Sequence, residues 1–351
     1  MKNTYLLLTF VLIASASAVI GLHLLSAHHS SSDNGFTRLF PPHAINSGHV
    51  LDLGYNSYYF AGASAHHLYF GNRTAPRHLV STSYALADSQ HISLVIDDNI
   101  RTFANPQVRV DSPDFYILDG IRPAMLHGTT TDWTATRIPA DTLFFTQAVP
   151  ISPTSFAVRV AGGAPPQYIL GKITKQSGLK LAPHALVKQV DGLFCVDGML
   201  HYDRDINTVV YVYYYRNEFI CMDTAFNVRY RGKTIDTVSH ARIKVSEIKK
   251  DHSITLASPP LVVNSRSSVS GNYLFVKSAM KASNETGEMF AMVSVIDVYD
   301  LRDGQYQYSF YLPNMEDRQL SSFDVVGDTV IANFGTRVYT FLLANYNKAK
   351  R

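Results

Sequence analysis

After residue 35 the chain holds no stretch in which apolar residues recur at i, i+3, i+4 and i+7 over three helical turns, whereas short runs of β-branched and aromatic residues continue to its end. That property points to an all-β body, because strands need only a period of two and tolerate unbroken apolar runs when both faces are buried. Composition agrees. The 351 residues include 21 Tyr and 19 Phe while only 17% are charged, a balance that favours strands over helices. A hydrophobic fraction of 46% excludes disorder and supplies a sizeable core. With 31 Lys and Arg against 28 Asp and Glu, bulk charge does not point to nucleic acid.

The N-terminus differs in kind. Residues 5–25 contain no Asp, Glu, Lys or Arg, and about 20 such residues suffice to span a bilayer core. Ala14-Ser15-Ala16 and Ala16-Ser17-Ala18 offer small-x-small cleavage sites, yet the apolar run continues past them through Leu25. Residues 1–27 therefore read as a signal anchor or a cleaved signal peptide, forming an apolar helix before a flexible stalk at 28–37. Membrane contact would run through 5–25 if the segment is uncleaved. Either form exports the remainder to the periplasm or beyond. In that oxidising setting two cysteines, Cys195 and Cys221, are too few for a disulfide scaffold.

Within the body, 193–196 reads as a strand, Asp197-Gly198 as a turn, 209–215 as a strand buried on both faces, and 219–222 as a third strand. The alternating basic segment 228–235 completes this unit as an exposed edge. Cys195 on the first strand and Cys221 on the third would lie two strand spacings apart, about 9–10 Å, too far for a disulfide. Central strands of similar units are expected at 57–61, 115–118, 156–160, 209–215, 273–276 and 329–333. Asp119-Gly120, Asp191-Gly192, Asp197-Gly198 and Asp303-Gly304 supply hairpin turns. Six units over roughly 310 residues give about 52 residues each, the size of a four-stranded propeller blade with loops. Five or seven blades also fit the irregular spacing. A strand within 43–53 pairing with the last strand, 336–343, would close the ring and hide the sheet edges.

The segment 327–339 combines a Gly-Asp turn, the apolar strand Thr329-Val330-Ile331-Ala332-Asn333, a short turn and an aromatic strand. It resembles the blade pattern of TolB-like six-bladed propellers, and it looks most like their exported members without assigned catalytic residues. The resemblance spans about 40–345 and implies a six-bladed β-propeller domain over 38–346, followed by a basic tail at 347–351. It implies little about function, since propellers host hydrolases, lyases, binding modules and scaffolds alike.

No local motif carries chemistry strongly. Nine of the 14 histidines lie in residues 1–96, among them His28-His29 and His66-His67, but neighbours on a strand face opposite ways and cannot share one ion. Asp203-Arg204-Asp205-Ile206-Asn207 opens like a calcium loop. It continues with Thr208 and Tyr214 where Gly and Glu belong, so a polar hairpin is the expectation. Asp97-Asp98-Asn99 is a weaker acidic turn. Gly62-Ala63-Ser64-Ala65-His66 misses the last glycine of a nucleophile elbow. Asn72-Arg73-Thr74 and Asn284-Glu285-Thr286 match the glycosylation triplet. Seven basic residues between Arg229 and Lys250 face two acids, a patch read chiefly as edge protection and otherwise as a dock for glycans, lipid headgroups or protein. No metal, cofactor or catalytic residue is assigned. The leading expectation is a non-enzymatic binding or scaffold module acting through one loop face on a protein, glycan or other small ligand. The competing expectation is a propeller hydrolase or lyase acting on a sugar or lactone, its carboxylates and histidines drawn from several blades.

Overall fold

The computed structural model describes residue 5, residues 10–17 and 19–21, and residues 34–96, 103–138, 143–163, 165–248 and 253–344. Residues 10–17 and 19–21 are helical. The rest of the apolar run, His28-His29, Asp97-Asp98-Asn99, Lys249-Lys250 and the tail 347–351 fall outside the described residues. Among the described residues no helix is long and apolar enough to cross a membrane.

The body is all-β. β1 (Ile45–Asp52) is followed by β2 (Tyr58–Ala63), β3 (His67–Asn72), β4 (His78–Ser83) and β5 (Ser89–Ser93). After the two-residue β6 (Val95–Ile96) come β7 (Gln107–Asp111), β8 (Asp114–Asp119), β9 (Ala124–Thr129) and β10 (Thr134–Arg137). The next four are β11 (Gln147–Ser152), β12 (Ser155–Gly162), β13 (Gln167–Thr174) and β14 (Gly178–Ala182). Then follow β15 (Gly198–Asp203), β16 (Thr208–Tyr213), β17 (Phe219–Met222) and β18 (Val228–Gly232), and a separate hairpin of β19 (Val245–Ile248) and β20 (Ser253–Leu256). β21 (Asn264–Ser270), β22 (Tyr273–Ser278), a short helix (Gly287–Met292), β23 (Val293–Asp300) and β24 (Tyr306–Pro313) precede the last three strands, β25 (Ser322–Val326), β26 (Thr329–Phe334) and β27 (Arg337–Leu343).

Strands within each group of four run antiparallel in chain order. The last three take their fourth partner from the other end of the chain: β1 pairs antiparallel with β27, Ile45 opposite Leu343 and Asp52 opposite Arg337. The closure expected from 43–53 is present. Two of the groups merge into a nine-stranded sheet, β5-β4-β3-β2-β7-β8-β9-β10-β6, because β2 and β7 pair in parallel at Gly62 with Val110 and Ala63 with Asp111. β6 follows β5 after one residue and pairs with β10, so this sheet nearly closes on itself.

Apolar clusters fill the spaces between successive sheets. Phe115 and Leu79 belong to one between the first two groups of four, Tyr116 and Phe156 to the next, and Ala157 and Tyr211 to the third. Val212 and Leu274 belong to the fourth, Phe275 and Phe334 to the fifth, and Ile331 and Phe70 to a sixth that returns to the first group. The aromatic excess of the sequence is thus packing material. Tyr116, Tyr211, Tyr213, Tyr299 and Phe156 are almost fully buried, and each such ring removes 150–250 Å2 from water as a typical figure.

Several sequence expectations are corrected. The first strand of the 193–235 unit is β15, not 193–196. Asp191 holds 193–195 in a turn, its Oδ1 accepting from the Leu193 and Phe194 amides at 2.6 Å each. Asp197 forms an ion pair with Arg159 instead of a hairpin turn, and Gly198 begins β15. The hairpin between β15 and β16 is the polar segment 204–207, in which buried Asp203 accepts from the Asp205 amide at 2.9 Å. Residues 58–61 belong to β2, the first strand of its group, with Ser57 in the turn before it, while the middle of that group is β3 and β4. The other five expected central strands, from 115–118 to 329–333, coincide with β8, β12, β16, β22 and β26. The stalk expected at 28–37 is packed from Asn34 onward: Phe36 is buried with Val238, Val263 and Met280, and Asn34 Nδ2 donates to the Lys281 carbonyl at 2.8 Å.

Candidate functional site

The first strands of the six groups, β2, β7, β11, β15, β21 and β25, face a common cavity. Side-chain bonds stitch neighbours together around it. The Tyr59 hydroxyl accepts from the Val108 amide at 2.7 Å, and Gln147 on β11 both donates to the Gly198 carbonyl and accepts from the Leu200 amide on β15. Ser268 Oγ on β21 accepts from the Val325 amide on β25 at 3.0 Å, and Asn333 Nδ2 donates to the Tyr58 carbonyl at 3.1 Å. These strands alternate between cavity and core, as Gln107-Val108-Arg109-Val110-Asp111 shows: Val108 and Val110 are buried, the polar three are not.

The cavity has two chambers. One of about 400 Å3 lies toward the N-terminal ends of these strands and includes Arg73, Gln107, Tyr214, Arg266 and Ser322 in its wall. The other, about 270 Å3, lies toward their C-terminal ends, where Asp111 and Arg204 form an ion pair. Phe60, Arg109, Val149, Leu200, His201 and Asp324 line both and mark the waist between them.

Three ionisable side chains from three strands therefore meet at the waist. The Arg109 side chain on β7 makes no hydrogen bond or ion pair with any described residue, although its charge acts on both His201 and Asp324. Burial pushes the Asp324 carboxyl up to about 7, the Arg109 charge offsetting part of the rise. Burial, with Arg109 adding to it, pushes the His201 imidazole down to about 3, so it is neutral at physiological pH. His201 Nε2 lies 2.7 Å from Ser267 Oγ, whose hydroxyl donates to the Met199 sulfur at 3.2 Å. In the neutral ring one nitrogen donates and the other keeps a lone pair. Chemically, the waist offers one unpaired cation, a carboxyl that titrates near neutrality, and a neutral base.

None of these three was singled out from sequence. The signal available was a polar residue flanked by apolar ones in the first strand of a group, Val108-Arg109-Val110 and Phe323-Asp324-Val325. It becomes specific only once those strands are known to be innermost.

The motifs weighed from sequence are structural. Ser64 Oγ accepts from the His67 amide at 3.0 Å in the β2–β3 turn, and His66 and His67 are exposed there. Asn72 is buried, its Oδ1 accepting from the Thr74 amide and hydroxyl. Asn284 is spent on the Arg38 backbone in both directions. Arg229 and Arg231 lie exposed on the edge strand β18. Among the described residues no group of three or more His, Cys, Asp or Glu is placed to hold a metal ion. Cys195 and Cys221 are buried free thiols.

The geometry defines an all-β protein of many sheets, one nearly closed, around a polar axial cavity. No protein-family model matches the sequence, and no curated protein is significantly similar to it. Among solved structures, a member of the DUF4221 family from Bacteroides vulgatus ATCC 8482 has a similar fold, with a TM-score of 0.51 and 10% identity over 85% of this chain and 97% of that one. The extracellular domain of a B. thetaiotaomicron protein described as a hybrid two component system gives a TM-score of 0.42 and 11% identity, over 78% of this chain and 32% of that one. At such identity the first likeness concerns the fold alone.

Proposed function

We propose that this chain is an exported six-bladed β-propeller, built like the TolB-like propellers, that works as a non-enzymatic binding module with its ligand in the central channel. Six antiparallel groups of four strands, six apolar clusters between successive sheets and the β1–β27 closure support the propeller reading. The apolar, uncharged run at 5–25 supports export. The observation that carries the binding function is Arg109, a cation lining the channel whose guanidinium has no hydrogen-bond or ion-pair partner among the described residues. A half-buried guanidinium with donors to spare is a ready partner for an anionic ligand group. This moves the expected site from an outer loop face into the channel. A protein or glycan on the loop face would then be a separate contact.

The hydrolase or lyase reading is favoured by one observation, the near-neutral Asp324 and neutral His201 lining the same waist, groups suited to general acid–base chemistry. It ranks second because the other acid lining the channel, Asp111, is committed to Arg204. A thermal-shift screen of small polar metabolites tests the binding function. At least one compound should stabilise the wild-type chain and fail to stabilise Leu200→Trp, which fills the waist. Product formation from a sugar lactone or an aryl glycoside, abolished by Asp324→Asn, would instead establish the enzyme.

A further inference from the structure

The N-terminal chamber carries its own chemical signature. Arg109 sits at its inner end, and Arg73 and Arg266 stand exposed at its mouth. Arg73 lies over the Tyr59 ring, 5.2 Å from its centroid, and Arg266 reaches only the Ser265 carbonyl at 3.1 Å. Asp324 is the one acid in this wall. Three neutral polar side chains, Gln107, Tyr214 and Ser322, make no side-chain hydrogen bond with any described residue, whereas Tyr59 and Phe60 bring aromatic rings to the same wall. A volume of about 400 Å3 falls in the usual range for small-ligand sites.

We infer that this chamber binds a small hydroxylated carboxylic acid, its carboxylate on Arg109 and its hydroxyls on Gln107, Tyr214 and Ser322. The inference rests on the channel reading above and adds the ligand class. A guanidinium fork matches a planar carboxylate through two parallel hydrogen bonds. At the inner end the charge count favours carboxylate over phosphate ester, because a phosphate monoester brings nearly two charges to one guanidinium and a neighbouring carboxyl, while Arg73 and Arg266 stand solvent-screened at the mouth. Free hydroxyl and amide groups together with aromatic rings suit a molecule that carries both hydroxyls and C–H faces.

The ligand's charge links binding to pH. The charged and titratable groups facing Asp324 along the channel are Arg109 and His201 at the waist, Arg73, Arg266, Tyr59 and Tyr214 in one chamber, and Asp111, Arg204 and Tyr202 in the other. Of these, Asp324 is the group that titrates near neutrality, at about 7. Protonated, it leaves the Arg109 charge to the ligand; ionised, it competes for it. Affinity for the acid therefore falls as pH rises through about 7, by up to about tenfold per unit above it, and Asp324→Asn removes the dependence.

Calorimetric titration of the full chain with glucuronate and gluconate, against glucose, glucuronamide and glucose 6-phosphate, tests this. The acids are expected to bind at least about tenfold tighter than the neutral compounds and the phosphate ester, and to lose about tenfold or more with Arg109→Gln. The surface variant Lys233→Gln should bind as wild type, and melting temperatures check that each variant folds. Equal binding of glucose or glucuronamide, tighter binding of glucose 6-phosphate, no effect of Arg109→Gln, or no binding of either acid at about 10 mM would each overturn the ligand class. If a neutral compound binds and Leu200→Trp abolishes it, the channel site stands and only the ligand class fails. If binding survives Leu200→Trp, the channel site itself fails.

Discussion

Arg38 carries a positive charge into a fully buried position, where its guanidinium pairs with Asp297 at 2.7 Å and with Glu285. Ser309 Oγ donates to the same Asp297 Oδ1 at 2.5 Å. Nothing in the sequence marks this triad, because its members lie 247 and 259 residues from Arg38. Removing the cation leaves two buried carboxylates unpaired, so Arg38→Met is expected to cost about 3–5 kcal/mol, read as a lower urea midpoint. The cysteines were legible, though for a partly different reason. Cys221 is on β17 as expected, but Cys195 sits in the loop before β15, its thiol donating to the Asp191 carbonyl at 2.8 Å. Both stay unpaired, and burial pushes the Cys221 thiol up to about 11. A thiol reagent at pH 8 should leave Cys221 unmodified in the folded protein and find two thiols in denatured, unreduced chain.

At the scale of elements, the strands with a continuous apolar run were the legible ones. β16, buried along its whole length, reads directly from Val209-Val210-Tyr211-Val212-Tyr213. First strands mostly carry a polar cavity face and read poorly, whereas β2, with Tyr58-Tyr59-Phe60-Ala61, has the apolar composition of a central strand without being one. Loop geometry also decides where Asp-Gly pairs turn the chain. Asp119, fully buried, accepts from the Ile121 and Arg122 amides between β8 and β9, and Gly304 turns β23 into β24 at a φ of +77°, whereas Asp197 is drawn off to Arg159. Gly62 shows what parallel pairing demands. Its φ is +144°, and a Cβ there would meet the Val110 carbonyl oxygen at 1.9 Å. Gly62→Ala should therefore cost about 1–3 kcal/mol in backbone strain alone, with faster hydrogen exchange concentrated in β2 and β7.

For the whole molecule, closure depends on a strand from one end of the body pairing with a strand from the other. Without β1, the β27 backbone from Arg337 to Leu343 becomes an unpaired edge beside the buried Phe341 and Val338, a template for pairing with another chain. A chain starting at residue 54 should lose cooperative thermal unfolding and self-associate on gel filtration, and a peptide of residues 34–53 added in trans should reverse the self-association. The amino-acid sequence by itself determined the all-β class, five of six central strands, the terminal strand that closes the sheet and the uncharged N-terminal run. Each of these rests on local periodicity or composition, which a chain displays residue by residue. Only the tertiary structure decided that Arg109, His201 and Asp324 share one cavity and that Arg38 meets Glu285 and Asp297. Those groups come from strands far apart in the chain, and the field each one feels exists only once the sheets have been brought around a common axis.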